Sequence, residues 1–142
     1  MKFKVRQASI QKAVDFSQLI FDQAPDPTAY RARFAGVPHL ILVAENNTSI
    51  VGFKVGYERD GFWYSWLGGV HPDFRRQGIA NLLADEQDRW AQAQNYPHVT
   101  CKTRNNNSTM QIWALRRGFH LIELQKRDRW EEHRVVLRKT YG

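Results

Sequence analysis

A chain of 142 residues is long enough to bury its own core, and we expect one domain over residues 1–142. Hydrophobic residues make up 42% and charged residues 25%, and the longest apolar run is Leu40–Ala44, so the sequence excludes wholesale disorder and a membrane-spanning helix. The net charge of +7 favours an anionic partner such as nucleic acid, a membrane surface or a phosphorylated cofactor, but the basic residues form no long block that would select one.

The N-terminal half predicts a strand, two helices and a meander of three strands. Ser9 is a typical N-cap for a first helix, whose apolar residues recur at helical spacing as far as Phe21. Prolines interrupt residues 22–38 and leave room for one short helix near 28–34. The turn pairs Asn46-Asn47 and Asp60-Gly61 separate the later strands. The predicted strands of this half are Phe3–Arg6, Leu40–Glu45, Ile50–Glu58 and Phe62–Val70.

The C-terminal half predicts two helices and three strands. The longer helix runs from Gly78 to about Asn95, and we interpret Glu86, in the middle of its apolar stripe, as a carboxylate with a local partner. The shorter helix, Asn107–Arg117, ends at Gly118. The stripe of the longer helix consists of Ile79, Leu82, Leu83, Trp90 and Ala93, and the strands are His98–Lys102, Phe119–Leu124 and Arg134–Lys139. This order predicts an α/β fold with a mixed sheet and helices on both of its faces.

The most informative segment joins the strand that ends at Val70 to the longer helix. Pro72 has no N–H group with which to continue a strand ladder. Gly78 stands just before the helix, where free backbone N–H groups and the helix dipole attract phosphate. The absence of a side chain at Gly78 and the small one at Ala80 let a phosphate approach the backbone, and the preceding arginines add charge. The segment therefore predicts a phosphate cradle.

A second feature is the glycine pair Gly68-Gly69 inside an otherwise aromatic strand. Glycine weakens a strand interior and often marks a bulge or the close approach of another backbone-like group. We expect an amide-bearing ligand tail to pair with this strand as a partial extra strand.

The run from Val70-His71-Pro72 to Ala80 resembles the pyrophosphate-binding motif of the GNAT N-acetyltransferase superfamily, Gln/Arg-x-x-Gly-x-Gly/Ala. Arg75 fills the first place of the motif, Gly78 the glycine and Ala80 the final small residue. Downstream, the helix from Asn107 to Gly118-Phe119 is similar to the Asn-to-Gly-Phe helix of the family. The resemblance extends from Phe3 to Lys139.

The resemblance implies a mostly antiparallel mixed sheet of six to seven strands, splayed between strands four and five, where acyl-CoA lies. It further implies N-acetyltransferase activity, with acetyl-CoA as cosubstrate, a primary amine as acceptor, direct transfer and no metal. Asn107 matches a position that often contacts the pantetheine arm, although a plain helix N-cap explains it equally well. The other implied cofactor contacts are Gly69 and Val70 for the pantetheine amides, and Arg75, Arg76, Gln77, Gly78, Ile79 and Ala80 for the pyrophosphate.

Acyl transfer to an amine needs a base for the ammonium and an acid for the leaving thiolate. The family frequently supplies the acid as a tyrosine four residues before the Gly-Phe glycine, but this sequence has Ala114 there. The candidates that we name for the base side are Tyr64, at the place of a strand-four carboxylate, and Glu58, the nearest carboxylate; packing and surface exposure remain alternatives for both. We expect His71 to lie on the cofactor side, and Cys101 to be a core residue.

The acceptor stays open among a polyamine, an amino acid, an aminoglycoside-like drug and a protein N-terminus. Candidates for holding an amine or shaping its pocket are Asp22, Asp26 and Glu58, with the aromatic residues Tyr30, Phe62, Tyr64 and Trp66. The missing tyrosine suggests an alternative, a family member that binds acyl-CoA as a sensor or interaction module without turnover. A nucleic-acid-binding role is disfavoured because no basic recognition helix is evident.

The sequence also carries expectations about location and assembly. Residues 1–4 lack the apolar core of a signal peptide, the single cysteine cannot form an internal disulfide, and no Cys/His cluster has metal-ligand spacing. We therefore expect a cytoplasmic protein without a metal site or a membrane partner, and a homodimer remains open.

Overall fold

A seven-stranded sheet organises the computed structural model, which describes residues 2–142. The strands are Lys4–Gln7 (β1), His39–Glu45 (β2), Ile50–Arg59 (β3), Phe62–Val70 (β4), His98–Arg104 (β5), His120–Gln125 (β6) and Arg134–Thr140 (β7). Their spatial order is β1-β2-β3-β4-β5-β7-β6. All neighbours are antiparallel except β4 and β5, which are parallel. The mixed, mostly antiparallel sheet predicted from the sequence is confirmed.

Helices cover both faces of the sheet. They are Ile10–Ile20 (α1), Pro27–Phe34 (α2), Ile79–Ala93 (α3) and Ser108–Arg116 (α4). The helices α1 and α2 pack against one face with an aromatic cluster that includes Phe53 and Tyr64, whereas α3 and α4 pack against the other face around Trp63. Short 3-10 turns at Pro72–Phe74 and Trp130–Glu132 complete the order. Within residues 2–142, no helix is both long and apolar enough to cross a bilayer.

Local capping sets the starts of the helices, as predicted for α1. The Ser9 hydroxyl accepts a hydrogen bond of 3.2 Å from the Lys12 N–H, and the Asp26 carboxylate caps α2 by accepting from the Ala29 N–H at 3.0 Å. After α4, Gly118 has φ +93°, the left-handed conformation expected of a residue that follows a helix C-terminus.

The apolar stripe predicted for α3 is partly wrong. Ala93 is exposed and Ala91 is buried, because the side of α3 that faces the sheet also includes the polar residues Gln87 and Asp88. The burial of Asp88 is sustained by partners on other elements, described below, which a count of apolar residues does not reveal. Glu86 pairs locally with Arg89, as interpreted from the sequence.

The sheet opens between β4 and β5. The two strands pair only through Trp63 with Val99, Tyr64 with Thr100, and Ser65 with Cys101, and they separate beyond that point. The β3–β4 register also shifts there, between Val55 and Gly56. The shift leaves Trp66 as an extra β4 residue, a bulge of the kind that commonly lies beside active sites.

The bulge therefore lies two positions before Gly68, and not at the glycine pair. Gly69 instead lets α1 approach, because a Cβ atom there would lie 2.5 Å from Ile20 Cδ1. The Lys54 side chain lies over Gly68, where an added Cβ atom would be in ordinary contact with Lys54 Nζ at 3.5 Å. The close approach that the glycines allow is thus partly occupied by side chains of this chain.

Candidate active site

A cavity of about 620 Å³ occupies the splay between β4 and β5. It passes through the sheet, because residues of α1 line it on one face and residues of α3 and α4 on the other. Its walls include the part of β4 that no longer pairs with β5, from Trp66 to Val70. Lys102 and Thr103 of β5 also line it. A ligand in this cavity can therefore reach both faces at the point where strand pairing stops.

The loop before α3 forms one end of the cavity. His71 Nδ1 accepts a hydrogen bond of 3.1 Å from the Asp73 N–H and steadies the turn that follows β4. Arg76 has φ +63° and Gly78 φ +79°, so two left-handed residues redirect the chain into α3. A positive φ in an arginine is uncommon and costs of order 1–3 kcal/mol, and such conformations cluster at ligand clamps.

The N-terminus of α3 fits an anion. Among the described residues no side chain caps this helix, so its first N–H groups stay available. A Cβ atom added to Gly78 would meet no heavy atom within 4 Å, which means that open space lies directly over those groups. Arg75 and Arg76 are exposed beside it and form no ion pair within residues 2–142. These features match the donor set of a phosphate site.

The residues predicted to contact the cofactor mostly border the cavity. Asn107 does so while its side chain also caps α4, accepting from the Met110 N–H at 3.1 Å. Gln77 is exposed and does not line the cavity. The predicted cofactor residues in the cavity wall are Gly69, Val70, Arg75, Arg76, Gly78, Ile79, Ala80 and Asn107.

The two base candidates lie apart. Glu58 faces α3, and its carboxylate accepts a hydrogen bond of 2.9 Å from the Tyr96 hydroxyl. Burial, followed by this hydrogen bond, raises the pKa of Tyr96 to about 12. Tyr64 faces the opposite side of the sheet, where burial raises the pKa of its phenol and its ring packs against Tyr57. Neither Glu58 nor Tyr64 borders the cavity.

Ala114, at the place of the family tyrosine, is fully buried in the core and offers no hydroxyl. Its neighbour Trp113 lines the cavity and donates from Nε1 to Asn81 Oδ1 at 3.1 Å, which joins α4 to the first turn of α3. Cys101 is buried as expected, and burial raises its pKa to about 11. The thiol is therefore protonated at neutral pH and unsuited to act as a nucleophile.

Sequence reasoning missed Lys54, which reaches the cavity from β3. Its side chain crosses Gly68, and Nζ lies 5.4 Å from the centre of the Trp113 ring. Burial lowers the pKa of Lys54; the nearby Cys101 and Asp88 oppose this shift, and Arg117 adds to it. A lysine inside an otherwise apolar strand was the available signal.

Sequence reasoning also missed Asp88, which anchors the back of the site. Its carboxylate accepts from the Tyr141 hydroxyl at 2.7 Å, from Lys139 Nζ at 2.9 Å and from Arg117 Nη2 at 3.1 Å. Burial, followed by the hydrogen bond that Tyr141 donates to Asp88, raises the pKa of Tyr141. The network ties α3 to α4 and to β7, and so fixes the helices that wall the cavity.

The acidic residues considered for the acceptor amine do not border the cavity. Asp26 caps α2, and Asp22 is exposed. Of the aromatic candidates, Tyr30 is fully buried, Phe62 stacks on His98 at the far end of β4, and Trp66 lines the cavity. No group of three or more His, Cys, Asp or Glu residues in the described part of the chain is arranged to hold a metal ion.

Comparisons with known sequences agree with this geometry. The model of the Acetyltransferase (GNAT) family matches residues 9–119. An acetyltransferase of Pectobacterium atrosepticum is 37% identical over 73 residues, which are 51% of this chain and 52% of that protein. An acetyltransferase of Yersinia enterocolitica is 34% identical over 73 residues, again 51% of this chain and 52% of the relative. The chain thus spans about half the length of these curated relatives.

Solved structures share the fold over nearly the whole chain. The ribosomal-protein-S18-alanine N-acetyltransferase from Escherichia coli has a TM-score of 0.84 at 12% identity, covering 97% of this chain and 93% of that one. A GNAT family acetyltransferase from Elizabethkingia anophelis, with acetyl-CoA bound, has a TM-score of 0.81 at 15% identity, covering 99% of both chains. Because the family model matches well over half of the sequence and the folds agree, this chain belongs to the GNAT acetyltransferase family.

Proposed function

We propose that residues 1–142 form one acyl-CoA-dependent N-acetyltransferase domain, which transfers an acetyl group from acetyl-CoA directly to a primary amine. The observation that carries the proposal is the uncapped N-terminus of α3, opened by Gly78 toward the cavity in the β4–β5 splay. The family membership and the acetyl-CoA-bound relative of the same fold support it. The proposal includes a cytoplasmic setting, consistent with a single free and buried cysteine.

In this proposal each part of the cavity has one task. The N–H groups at the start of α3, with Arg75 and Arg76, hold the pyrophosphate of the cofactor. The pantetheine arm lies along the β4 edge that has no strand partner beyond Ser65. At the bulge, free β4 N–H groups would polarise the acetyl carbonyl as negative charge develops on its oxygen.

For proton transfer we retain Tyr64 and leave Glu58 unassigned. Tyr64 precedes Ser65, where the splay begins, and its raised pKa keeps the phenol protonated; because it does not border the cavity, its relay would run through an intervening water. Glu58 is engaged by Tyr96 on the other face of the sheet. Replacing Tyr64 by phenylalanine should lower the rate about tenfold if its hydroxyl relays a proton.

The first test of the proposal is cofactor binding. Acetyl-CoA should raise the melting temperature, because a ligand that binds only the folded state stabilises it by mass action. Acetyl-pantetheine, which lacks the phosphates, should stabilise much less. Equal stabilisation by both compounds would exclude the phosphate cradle.

The second test is turnover, measured as release of the CoA thiol over a panel of amines. A non-catalytic acyl-CoA-binding module is the second candidate, favoured by the buried Ala114 in place of the family tyrosine. Strong acetyl-CoA binding without thiol release for any amine in the panel would favour that module over the enzyme.

A further inference from the structure

One side of the cavity in the splay lies on the face covered by α1 and α2, and we assign it to the acceptor. Trp66 and Lys102 border the cavity there, next to the last paired residues of β4 and β5. The phosphate cradle occupies the other end, at the start of α3. An amine that attacks the acetyl group would therefore approach past Trp66 and Lys102, so the charges around these two residues select the acceptor.

Two arginines stack on aromatic rings of this face of the sheet. The Arg33 guanidinium lies 4.4 Å from the centre of the Trp66 ring and donates to the Tyr57 hydroxyl at 2.8 Å. The Arg59 guanidinium lies 5.0 Å from the centre of the Tyr64 ring. Stacking fixes the plane of a guanidinium and leaves N–H donors at its edge for a ligand.

Lys102 stands among further positive charges. Burial lowers its pKa, the charges of Arg59, Arg127 and Arg33 lower it further, and Glu123 is the acidic group that acts against them. We call Arg33, Arg59, Lys102 and Arg127 the cation cluster. No member forms an ion pair with a carboxylate in residues 2–142. Positive charges that outnumber the neighbouring carboxylate of Glu123 repel one another and attract an anion.

We propose that the acceptor is an amine that carries a carboxylate close to its nitrogen, and that the cation cluster binds this carboxylate. The inference rests on the proposed acetyltransferase function and names the substrate class of the same site. It favours a small amino acid and disfavours polyamines and aminoglycoside-like drugs, whose several positive charges the cluster would repel. It also reverses the expectation that acidic residues of the protein hold the amine.

The test compares acceptors that differ only in charge, at saturating acetyl-CoA. β-Alanine and γ-aminobutyrate are matched with their carboxamides, glutamate with its diamide, and an acidic dipeptide with its amidated form; putrescine is the polycation. We expect kcat/KM to be about tenfold or more higher for the carboxylate of a free amino acid, on the scale of charged hydrogen bonds. Preference for the acidic dipeptide alone would overturn the small-molecule assignment, and equal rates or a preference for putrescine would overturn the proposal.

Matched variants locate the effect. Arg59→Gln should lower kcat/KM about tenfold more for the carboxylate than for its carboxamide. Arg31→Gln is the control, because Arg31 is an exposed arginine of α2 outside the cluster. Loss of the carboxylate preference in the control as well, or its survival in Arg59→Gln, would contradict the assignment.

A binding measurement covers the case in which no amine in the panel is acetylated. Glutarate and the neutral glutaramide are titrated into the CoA-bound protein, with tryptophan fluorescence as the signal, because Trp66 lines the site. Saturable binding of glutarate, weakened in Arg59→Gln, would support the site. Absence of saturation in a protein that acetyl-CoA does stabilise would refute the anion site alone, whereas lack of stabilisation by acetyl-CoA would refute the proposed function.

A different observation, the unpaired amine of Lys54, carries a second inference. The Lys54 side chain enters the cavity on the face of α3 and α4. No carboxylate of the described residues forms an ion pair with its amine. The groups that face it are Gly68 of β4, Cys101 of β5, Asp88 of α3, and Trp113 and Arg117 of α4. Its neighbour Trp113 adjoins Ala114, where the family hydroxyl is missing.

We infer that Lys54 protonates the leaving thiolate of CoA in place of that hydroxyl. The neutral amine attacks the carbonyl carbon, the C–S bond breaks with its electron pair on sulfur, and sulfur takes a proton from the Lys54 ammonium. The nitrogen of the new amide gives its extra proton to water, and Lys54, left as a neutral amine, takes a proton back from water. A buried ammonium is a stronger acid than an exposed one, which suits this transfer.

The readout is the thiol pKa of bound CoA, followed by the ultraviolet absorbance of the thiolate, with desulfo-CoA as the blank for Cys101 and the tyrosines. In the wild type the bound thiol should ionise at lower pH than free CoA, because a cation faces it. Lys54→Met should remove this shift. Lys54→Arg should keep the shift and still lose about tenfold or more in kcat, because a guanidinium holds its proton too tightly to donate it.

The outcomes distinguish a failure of the Lys54 role from a failure of the proposed function. A thiol pKa in Lys54→Met equal to that of the wild type, with CoA binding retained, would overturn the role of Lys54. Full activity of Lys54→Arg would reduce that role to charge stabilisation and so contradict proton donation. Failure of CoA to bind the wild type would instead refute the proposed function.

Discussion

Replacing Gly78 by alanine adds one methyl group at the mouth of the phosphate cradle. The residue has φ +79°, and its added Cβ would meet no heavy atom within 4 Å, so no protein atom opposes the methyl group. The loss of stability is then the conformational one alone, about 1 kcal/mol for a left-handed residue with a side chain. For a domain of this size that lowers the melting temperature by roughly 3 °C.

Cofactor binding should change far more than stability. The empty space over Gly78 is the place that we assign to the pyrophosphate, so the methyl group should weaken acetyl-CoA binding about tenfold, or ~1.4 kcal/mol. Gly78→Glu adds a carboxylate beside the phosphates, and we expect a loss of roughly a hundredfold or more. The affinities are measured by calorimetric titration of acetyl-CoA into each folded variant.

The matched control is Gly36→Ala. Gly36 has φ +72° and also has no heavy atom within 4 Å of an added Cβ, but it lies outside the cavity wall. It should lose the same stability as Gly78→Ala and keep the affinity of the wild type. Wild-type affinity in folded Gly78→Glu would show that the loop is only a turn.

Four further predictions follow from single contacts. Arg76→Gly relieves a positive φ and should raise the melting temperature while weakening acetyl-CoA binding, which thermal shift and titration measure together. Asp88→Asn removes the buried charge that the partly buried Lys139 and Arg117 share, and should lower the free energy of unfolding in urea by roughly 3 kcal/mol. Ala114→Tyr places a ring in a filled core and should cost about 1–3 kcal/mol by the same assay, without raising turnover. Tyr96 keeps its proton in the folded state up to a pKa of about 12, against 10.0 unfolded, so its share of stability is complete below pH 10.0 and falls between 10.0 and about 12. Tyr96→Phe should flatten the pH dependence of unfolding in that window, and an unaltered profile would contradict the assignment.

Local patterns were sufficient for the elements and for the cradle. The period of apolar residues, the cap Ser9 and the turn pairs gave the helices and strands to within two residues, because these features depend on neighbours along the chain. The cradle at Gly78 is local for the same reason, since one loop and the first turn of one helix supply it.

The placement of Glu58 and Tyr64 on opposite faces of the sheet could have been predicted from the sequence. The two-residue turn Asp60-Gly61 sets the β3–β4 register near the hairpin, opposing Tyr57 to Tyr64 and Glu58 to Trp63. Since side chains alternate between the faces of a strand, this register alone would have separated Glu58 from Tyr64.

Other features were decided only by the tertiary structure. The bulge at Trp66 depends on how β3 and β4 pair beyond the hairpin, and the burial of Asp88 depends on donors more than twenty-five residues away along the chain. The cation cluster draws its members from α2, β3, β5 and the segment after β6. The sequence determined the order of the helices and strands, because it depends on short-range periodicity, and one loop was enough to predict the phosphate cradle. The proposed cation cluster arises where distant segments converge, and no local pattern records that convergence.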